Sequence, residues 1–119
     1  MTAARAALAR RGEDAAADWL IARGFHIVAR NARAGRYELD IVALHGAQLV
    51  FCEVRTRRTD AFGAPAETVG PAKQRSLRAG ALRWLRDHPK HRRKRIRFDV
   101  AGVLVRGAHV AIDYYVDAF

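Results

Sequence analysis

The spacing of apolar residues in the first quarter of the chain indicates a helix. Apolar side chains recur there at intervals of three and four, at Ala16, Ala17, Leu20 and Ile21. Gly24 follows at a position where helices commonly end. We therefore expect a helix over about 13–23. Residues 2–11 are rich in Ala and Arg, which is typical of a frayed helical arm, and because Gly12 separates them from this pattern, residues 1–11 are expected to be a mobile N-terminal arm.

The remaining apolar pattern predicts five strands and one more helix. Strand-like alternation and runs of β-branched residues occur over about 25–29, 37–44, 48–56, 96–105 and 109–116. Turn signals at His45-Gly46 and Arg106-Gly107 indicate two hairpins. Residues 31–36 are expected to form a turn. The predicted order is α-β-β-β-α-β-β, a mixed α/β fold.

Proline and glycine place the second helix. Residues 59–70 contain Gly63, Pro65 and Gly70 and are predicted to be a loop. Pro71 suits the first turn of a helix, and an apolar stripe continues to about Asp87. The 119 residues suffice for one compact core, and no segment is long enough to divide them, so we expect a single domain over 1–119.

The charge balance favours a polyanionic partner. The chain has 22 Lys and Arg against 12 Asp and Glu, a formal net charge of +10. Nucleic acid fits that charge best, although a ribosome-associated protein or an arginine-rich proteome would give the same balance. The one cysteine excludes an intrachain disulfide and favours a reducing cytoplasmic location. No apolar run reaches the roughly 18 residues of a membrane span.

Two predicted strands carry acids at alternating positions. Glu38 and Asp40 share one strand face, and Glu53 shares a face with Arg55. The neighbouring residues are apolar, so burying these carboxylates requires positive charge nearby. A divalent metal would supply it and would suit phosphodiester chemistry. The alternative is a set of structural salt bridges, Glu53 with Arg55 or Arg57 and Glu38 with Arg36.

Several motifs together resemble those of the YraN family, which is similar to archaeal Holliday-junction resolvases of the PD-(D/E)XK nuclease superfamily. The similar segments are Gly12-Glu13, Ala16-Ala17, Trp19-Leu20, Gly24-Phe25, Arg30-Asn31, Glu38–Val42, Leu49–Arg55 with Arg57, Lys73, Arg97–Val100 and Asp117–Phe119. The resemblance spans about 12–119. It implies a restriction-endonuclease-like core, with a mixed central sheet flanked by helices.

The resemblance also implies a metal site. Asp40 would be the first ligand and Glu53 the second, with the Val54 carbonyl as an additional oxygen donor. The metal would be Mg²⁺, with Mn²⁺ as a substitute. Glu13 on the first helix and Glu38 match supporting acids of related nucleases.

The sequence departs from the family pattern in two places. The family commonly has a glycine directly before the acid-x-Asp element, whereas here Arg36 and Tyr37 follow Gly35. The second departure matters more. Arg55 stands where the related enzymes have a catalytic lysine, and an arginine stays protonated, so it cannot act as a base. It can still bind a phosphate and stabilise developing charge. Some superfamily members supply the lysine from the neighbouring helix, where Lys73 is the candidate. The alternative is that Lys73 is an ordinary surface residue.

Basic residues other than Arg55 and Lys73 are candidates for binding a nucleic-acid backbone. They are Arg57 and Arg58 after the third strand, and Lys90, Arg92, Arg93 and Lys94 before the fourth. A solvated loop is the alternative for the second group. No aromatic residues are interleaved with these cations, which favours recognition of shape or backbone.

The sequence therefore supports one principal function and two alternatives. The principal one is a Mg²⁺-dependent DNA endonuclease, with structure selectivity and a homodimer as further expectations. The first alternative is a nuclease-fold DNA- or RNA-binding protein without turnover, for which Arg55 is the reason. The second is a protein of a ribosomal or repair assembly.

Overall fold

The computed structural model describes residues 2–58 and 69–119. Helix α1 is Ala3–Ala22 and helix α2 is Pro71–Asp87. The strands in chain order are β1 His26–Ala34, β2 Tyr37–His45, β3 Gln48–Arg57, β4 Arg95–Arg106 and β5 His109–Tyr115. The predicted mixed α/β fold and its element order are confirmed. Most of the predicted loop over 59–70 lies outside the described residues.

The strands form one mixed sheet. Their order across the sheet is the same as along the chain, β1-β2-β3-β4-β5. All neighbouring pairs are antiparallel except β3 and β4, which are parallel and flank α2 in the chain. Parallel neighbours need a crossover connection, and α2 lies within it. Neither helix of the described residues is long and apolar enough to cross a membrane.

Alternation along the strands produces a core on each face of the sheet. On one face, Leu49 and Phe51 pack with Trp84 and Leu77 of α2. On the other face, the intervening Val50 and Cys52 pack with residues of α1, among them Ala16, Ala17 and Leu20. Because successive side chains of β3 point to opposite faces, the two helices cover opposite sides of the sheet.

Helix α1 begins earlier than the sequence predicts. Residues 3–11 are helical, in agreement with the expected helical arm, but they are continuous with the rest of α1, because Gly12 lies inside the helix instead of interrupting it. The glycine has a packing role, because a Cβ at this position would lie 2.7 Å from the Cβ of Thr56 on β3 and closer still to its hydroxyl. Gly12 thus allows α1 to approach β3 closely.

Strand β1 is also longer than predicted. The expected turn over 31–36 is wrong for residues 31–34, which pair with β2 up to Ala34 and Tyr37. Only Gly35 and Arg36 connect the two strands, and Gly35 has the positive φ of 62° that a tight hairpin turn favours. Pairing with β2 therefore overrides the weak strand propensity of Asn31 and its neighbours.

A buried carboxylate joins β4 to the C-terminal strand. Asp99 is fully buried, and both of its oxygens accept hydrogen bonds from Arg97, each at 2.9 Å. The hydroxyl of Tyr114 donates to the same carboxylate at 2.6 Å, and the Asp117 N–H donates at 2.9 Å. Because every acceptor is used, burial of this charge is compensated.

The contact between Gly12 and Thr56 can be tested by substitution. Gly12→Ala in an exposed helix would stabilise the protein by up to about 1 kcal/mol. Here we expect the opposite, a loss of about 1–3 kcal/mol in the free energy of unfolding, because the added methyl overlaps Thr56. Urea unfolding measures it.

A double-mutant cycle supplies the control. Thr56→Ala removes the hydroxyl and methyl groups that the new Cβ meets first, so Gly12→Ala should be less damaging in the Thr56→Ala background. Additive losses, or a gain in stability from Gly12→Ala alone, would show that the two elements are not in close contact.

Candidate functional site

The site begins where β2 and β3 separate. β2 pairs with β3 from His45 only as far as Ile41, opposite Cys52, while its pairing with β1 continues to Tyr37. Asp40 is the first residue beyond that point. Its carboxylate accepts a hydrogen bond of 2.8 Å from the Val54 N–H of β3. The side chain thus bridges the two strands where their backbone pairing ends.

Glu53, on β3, lies beside Asp40 of β2. Its side chain is 6% exposed and belongs to the face of the sheet that α2 covers. Burial, a hydrogen bond with Asp40 and the charge of Asp40 raise the pKa of Glu53 from 4.5 to about 8. The structure therefore brings together the two acids that the sequence singled out as metal ligands.

Two cations lie near the buried glutamate without neutralising it fully. Lys73 Nζ on α2 is 3.5 Å from the Glu53 carboxylate, and Arg55 Nη2 is 3.6 Å from the same oxygen. These distances exceed those of charge-assisted hydrogen bonds. The Nε atom of Arg55 is buried and has no hydrogen-bond partner among the described residues. Both candidates for the lysine role thus adjoin Glu53.

Helix α1 contributes a third acid. The Glu13 carboxylate accepts a hydrogen bond of 2.7 Å from Asn31 and lies 3.5 Å from Arg30, both on β1. Arg30 also binds Asp14 at 2.6 Å. Burial and the charge of Asp40 raise the pKa of Glu13, which indicates that its carboxylate faces the same acids. The sequence had not assigned a positioning role to Arg30 or Asn31.

Glu38 does not join this cluster. Its side chain is 69% exposed and lies 3.4 Å from Arg33 across the β1–β2 hairpin. The predicted pairing of Glu38 with Arg36 is therefore wrong, because Glu38 pairs with Arg33 instead. Glu38 instead lines a cleft of about 320 Å³, the hairpin cleft, whose other lining residues are Arg33, Arg36, Tyr37, Lys73, Ser76 and Leu77.

A larger cleft opens on the α1 side of the acids. It has a volume of about 700 Å³, and we call it the carboxylate cleft because Glu13 and Asp40 line it. The other lining residues come from the first turns of α1 and the end of β3: Arg5, Leu8, Ala9, Val54, Arg55, Thr56, Arg57 and Arg58. Arg57 and Arg58 thus lie where the sequence predicted. Arg5 was not predicted to lie near the acids, because residues 1–11 were assigned to an N-terminal arm.

The second group of predicted backbone-binding cations lies elsewhere. Lys90, Arg92, Arg93 and Lys94 precede β4, whose first residue Arg95 is level with Gln48, the first residue of β3. Glu53 is five residues further along β3, a distance of roughly 16 Å at 3.3 Å per residue. The structure does not bring this group to the acids.

The pKa of Glu53 predicts a stability difference that depends on pH. Between about 4.5 and 8 the folded protein retains a proton that the unfolded chain has lost, so the free energy of unfolding falls as pH rises across this interval. Glu53→Gln removes that loss. We expect it to be at least about 1 kcal/mol more stable than wild type at pH 9 and nearly equal at pH 5, measured by urea unfolding.

Glu38→Gln is the matched control, because Glu38 is an exposed acid paired only at the surface. It should differ from wild type by less than about 1 kcal/mol at both pH values. A Glu53→Gln protein that is less stable than wild type at pH 9 would mean that the nearby cations already compensate the glutamate.

Comparison with known proteins identifies the family. The family model described as "Uncharacterised protein family UPF0102" matches residues 12–103, which include Glu13, Asp40 and Glu53. A UPF0102 protein of Rhodococcus jostii is 45% identical over 114 residues, 95% of this chain and 96% of the relative. One of Streptomyces griseus is 48% identical over 109 residues, 90% and 92% of the two chains. One of Syntrophotalea carbinolica is 43% identical over 119 residues, 100% and 96%. The chain belongs to the protein family UPF0102.

Proposed function

We propose that this protein is a Mg²⁺-dependent DNA endonuclease of the PD-(D/E)XK superfamily, selective for a DNA structure rather than a sequence. The observation that carries the proposal is the pair of adjacent acids Asp40 and Glu53: Glu53 is buried, and Asp40 lines a basic cleft. Acids placed together at the expense of stability are typical of sites that bind a cation or transfer a proton.

A comparison within the molecule supports this interpretation. Asp99 is also buried, but four hydrogen bonds, two of them from Arg97, satisfy its carboxylate. The carboxylate of Glu53 has cations only at 3.5 and 3.6 Å, and a second acid, Asp40, hydrogen-bonds with it and raises its pKa. The same chain therefore compensates one buried carboxylate fully and leaves the other available to a ligand.

The donor set suits magnesium better than a transition metal. Within residues 2–58 and 69–119, no three His, Cys, Asp or Glu side chains are grouped so as to hold a metal ion. Mg²⁺ commonly binds through one or two carboxylates, several waters and substrate phosphates, so Asp40 and Glu53 are sufficient protein donors. Bound there, the ion would polarise a phosphoryl oxygen and make a water more acidic.

The surrounding cations have separate roles in this proposal. Arg55 remains protonated, and its buried, unpaired Nε–H is a donor for a phosphate oxygen. Lys73 is the only lysine beside the acids among the described residues, and it can orient the attacking water or stabilise developing negative charge. Glu13, held by Asn31, lines the same cleft as Asp40 and places a further carboxyl group near it.

The cleft walls provide the affinity for DNA. Arg5, Arg57 and Arg58 line the carboxylate cleft, and each contact with a phosphate would add a salt-dependent increment to binding. Contacts of this kind position a backbone without reading its bases. A homodimer, which would place two such sites on two strands, stays a prediction.

A second candidate function is DNA or RNA binding without turnover. Arg55 supports it, because the strand position that carries the catalytic lysine in related nucleases holds a residue that cannot act as a base. The position of Lys73 beside Glu53 favours the active enzyme. Binding without cleavage of any branched, single-stranded or duplex substrate would favour the binding protein, including a role in a ribosomal or repair assembly.

Asp40→Asn tests the proposed activity. The amide oxygen can still accept the hydrogen bond from Val54, so the variant removes the charge and keeps the bridge between β2 and β3. We expect Mg²⁺- or Mn²⁺-dependent cleavage of branched and single-stranded DNA to fall on the order of 10²-fold or more. Glu38→Gln should keep wild-type activity. Equal cleavage by wild type and Asp40→Asn would indicate a contaminating nuclease.

Lys73→Met and Arg75→Met separate a catalytic charge from general basicity. Both substitutions remove one cation from the same end of α2, but of the two only Lys73 is placed beside Glu53. Cleavage should fall at least tenfold in Lys73→Met and less than twofold in Arg75→Met, with DNA affinity in EDTA nearly equal for the two. If wild type is inactive and Arg55→Lys gains activity, the binding protein is the correct interpretation.

Metal binding can be measured without a substrate. Mg²⁺ at a hundred times its dissociation constant should add about 2.7 kcal/mol to the free energy of unfolding. A thermal shift should therefore rise with Mg²⁺ concentration in wild type and Glu38→Gln and be lost in Asp40→Asn. The same shift in all three proteins would place the ion elsewhere.

A further inference from the structure

The cations just before β4 and at its first residue form a second basic surface, which we call the basic turn: Lys90, Arg92, Arg93, Lys94 and Arg95. Four of the five are exposed and Lys94 is half-buried. The segment 88–98 contains six Lys and Arg residues and no Asp or Glu. Five positive charges therefore lie within the six consecutive residues 90–95.

The structure does not neutralise these charges. None of the five side chains makes an ion pair or hydrogen bond with the described residues. Other exposed arginines do find acids: Arg30 binds Asp14, and Arg83 lies 3.5 Å from Asp87. Like charges held close together repel one another, so this arrangement favours an anionic partner.

The basic turn is held in a fixed shape. The ring of His88 stacks on Trp84 with centroids 3.9 Å apart, and the ring of His91, which is 7% exposed, also stacks on Trp84 with centroids 5.6 Å apart. Trp84 belongs to the core under α2. Backbone hydrogen bonds from Arg92 to Pro89 and from Arg95 to Ala47 close the segment. The cations thus project from an ordered platform, which reduces the entropy lost on binding.

The basic turn lies at the opposite end of the sheet from the carboxylate cleft. Its last residue, Arg95, is the first residue of β4 and lies level with Gln48, the first residue of β3, whereas Arg57 is the last residue of β3. Nine residues of strand separate Gln48 from Arg57, roughly 30 Å at 3.3 Å per residue. The principal extents of the molecule are 41, 30 and 25 Å, so a separation of this size is a large part of any of them.

We propose that the basic turn is a second nucleic-acid-binding surface, which holds a separate backbone segment while the carboxylate cleft holds another. A short stretch of DNA is stiff, and bending it around both ends of a molecule of this size is unfavourable. One protein chain therefore binds two duplex segments, such as two arms of a branched substrate. The proposal rests on the proposed function for the identity of the polyanion and requires no cleavage.

Stoichiometry in EDTA tests the proposal with 10-base-pair duplexes. Native mass spectrometry should find two duplexes per protein chain in wild type when DNA is in excess. The triple variant Lys90→Gln/Arg92→Gln/Arg93→Gln should bind one duplex, in the carboxylate cleft. The affinity for that duplex should be within twofold of the affinity of the tighter wild-type site. Arg57→Gln/Arg58→Gln should also leave one, on the basic turn. The control Arg10→Gln/Arg23→Gln/Arg75→Gln removes the same charge from exposed helical and cap positions and should still bind two.

The salt dependence of binding to a four-way junction gives a second measurement. The triple variant of the basic turn loses three phosphate contacts. The plot of log binding constant against log salt concentration should therefore become less steep by about 2.7, at roughly 0.9 per contact. The control triple variant should keep the wild-type slope. The proposal is overturned if wild type binds one duplex per chain, or if both triple variants lose the same affinity. It is also overturned if the basic turn binds phosphatidylserine vesicles but no duplex.

These outcomes are independent of catalysis. If Asp40→Asn shows that the protein does not cleave DNA but two duplexes still bind, the proposed enzyme fails and the second surface remains. If cleavage is confirmed and wild type binds one duplex per chain, the second surface fails and the enzyme remains.

Discussion

The hydrogen bond from the Val54 N–H to the Asp40 carboxylate determines how the site is assembled. It forms where β2 leaves β3, at the end of their backbone pairing. A side chain replaces a backbone carbonyl as the acceptor, so the two strands can diverge without leaving that donor unpaired. The divergence opens the carboxylate cleft and turns Asp40 toward Glu53 on the neighbouring strand. The bond thus holds Asp40 at the wall of the carboxylate cleft, beside the strand that carries Glu53.

Each helix then adds one charged group to the acids. Gly12 lets α1 approach β3 closely, which places Glu13 near Asp40. On the other face, α2 packs through Trp84 and Leu77 and carries Lys73 to 3.5 Å from Glu53. The hydrophobic packing of two helices on opposite faces thus positions polar groups at one place on the sheet.

Charge compensation is uneven in this molecule, and the unevenness is informative. Asp99 and Arg97 form a satisfied buried pair that joins β4 to the C-terminal residues. Glu53 remains a weakly compensated acid, and the basic turn remains a group of cations without acidic partners among the described residues. Proteins retain such unfavourable local charge mainly where a ligand supplies the opposite sign. This is the physical basis for both proposals.

The sequence by itself determined the element order, the mixed α/β class and the two acids of the site, because apolar periodicity and alternating carboxylates are local patterns. It placed a break at Gly12 and a turn at 31–34 because Gly12 and Asn31 resemble interruptions locally, whereas packing on Thr56 and pairing with β2 decide the structure there. It grouped the basic residues by charge. Only the tertiary structure separated Arg57 from Lys90 and brought Lys73 to Glu53. The first depends on the pairing register of β3 and β4, and the second depends on how α2 packs on the sheet.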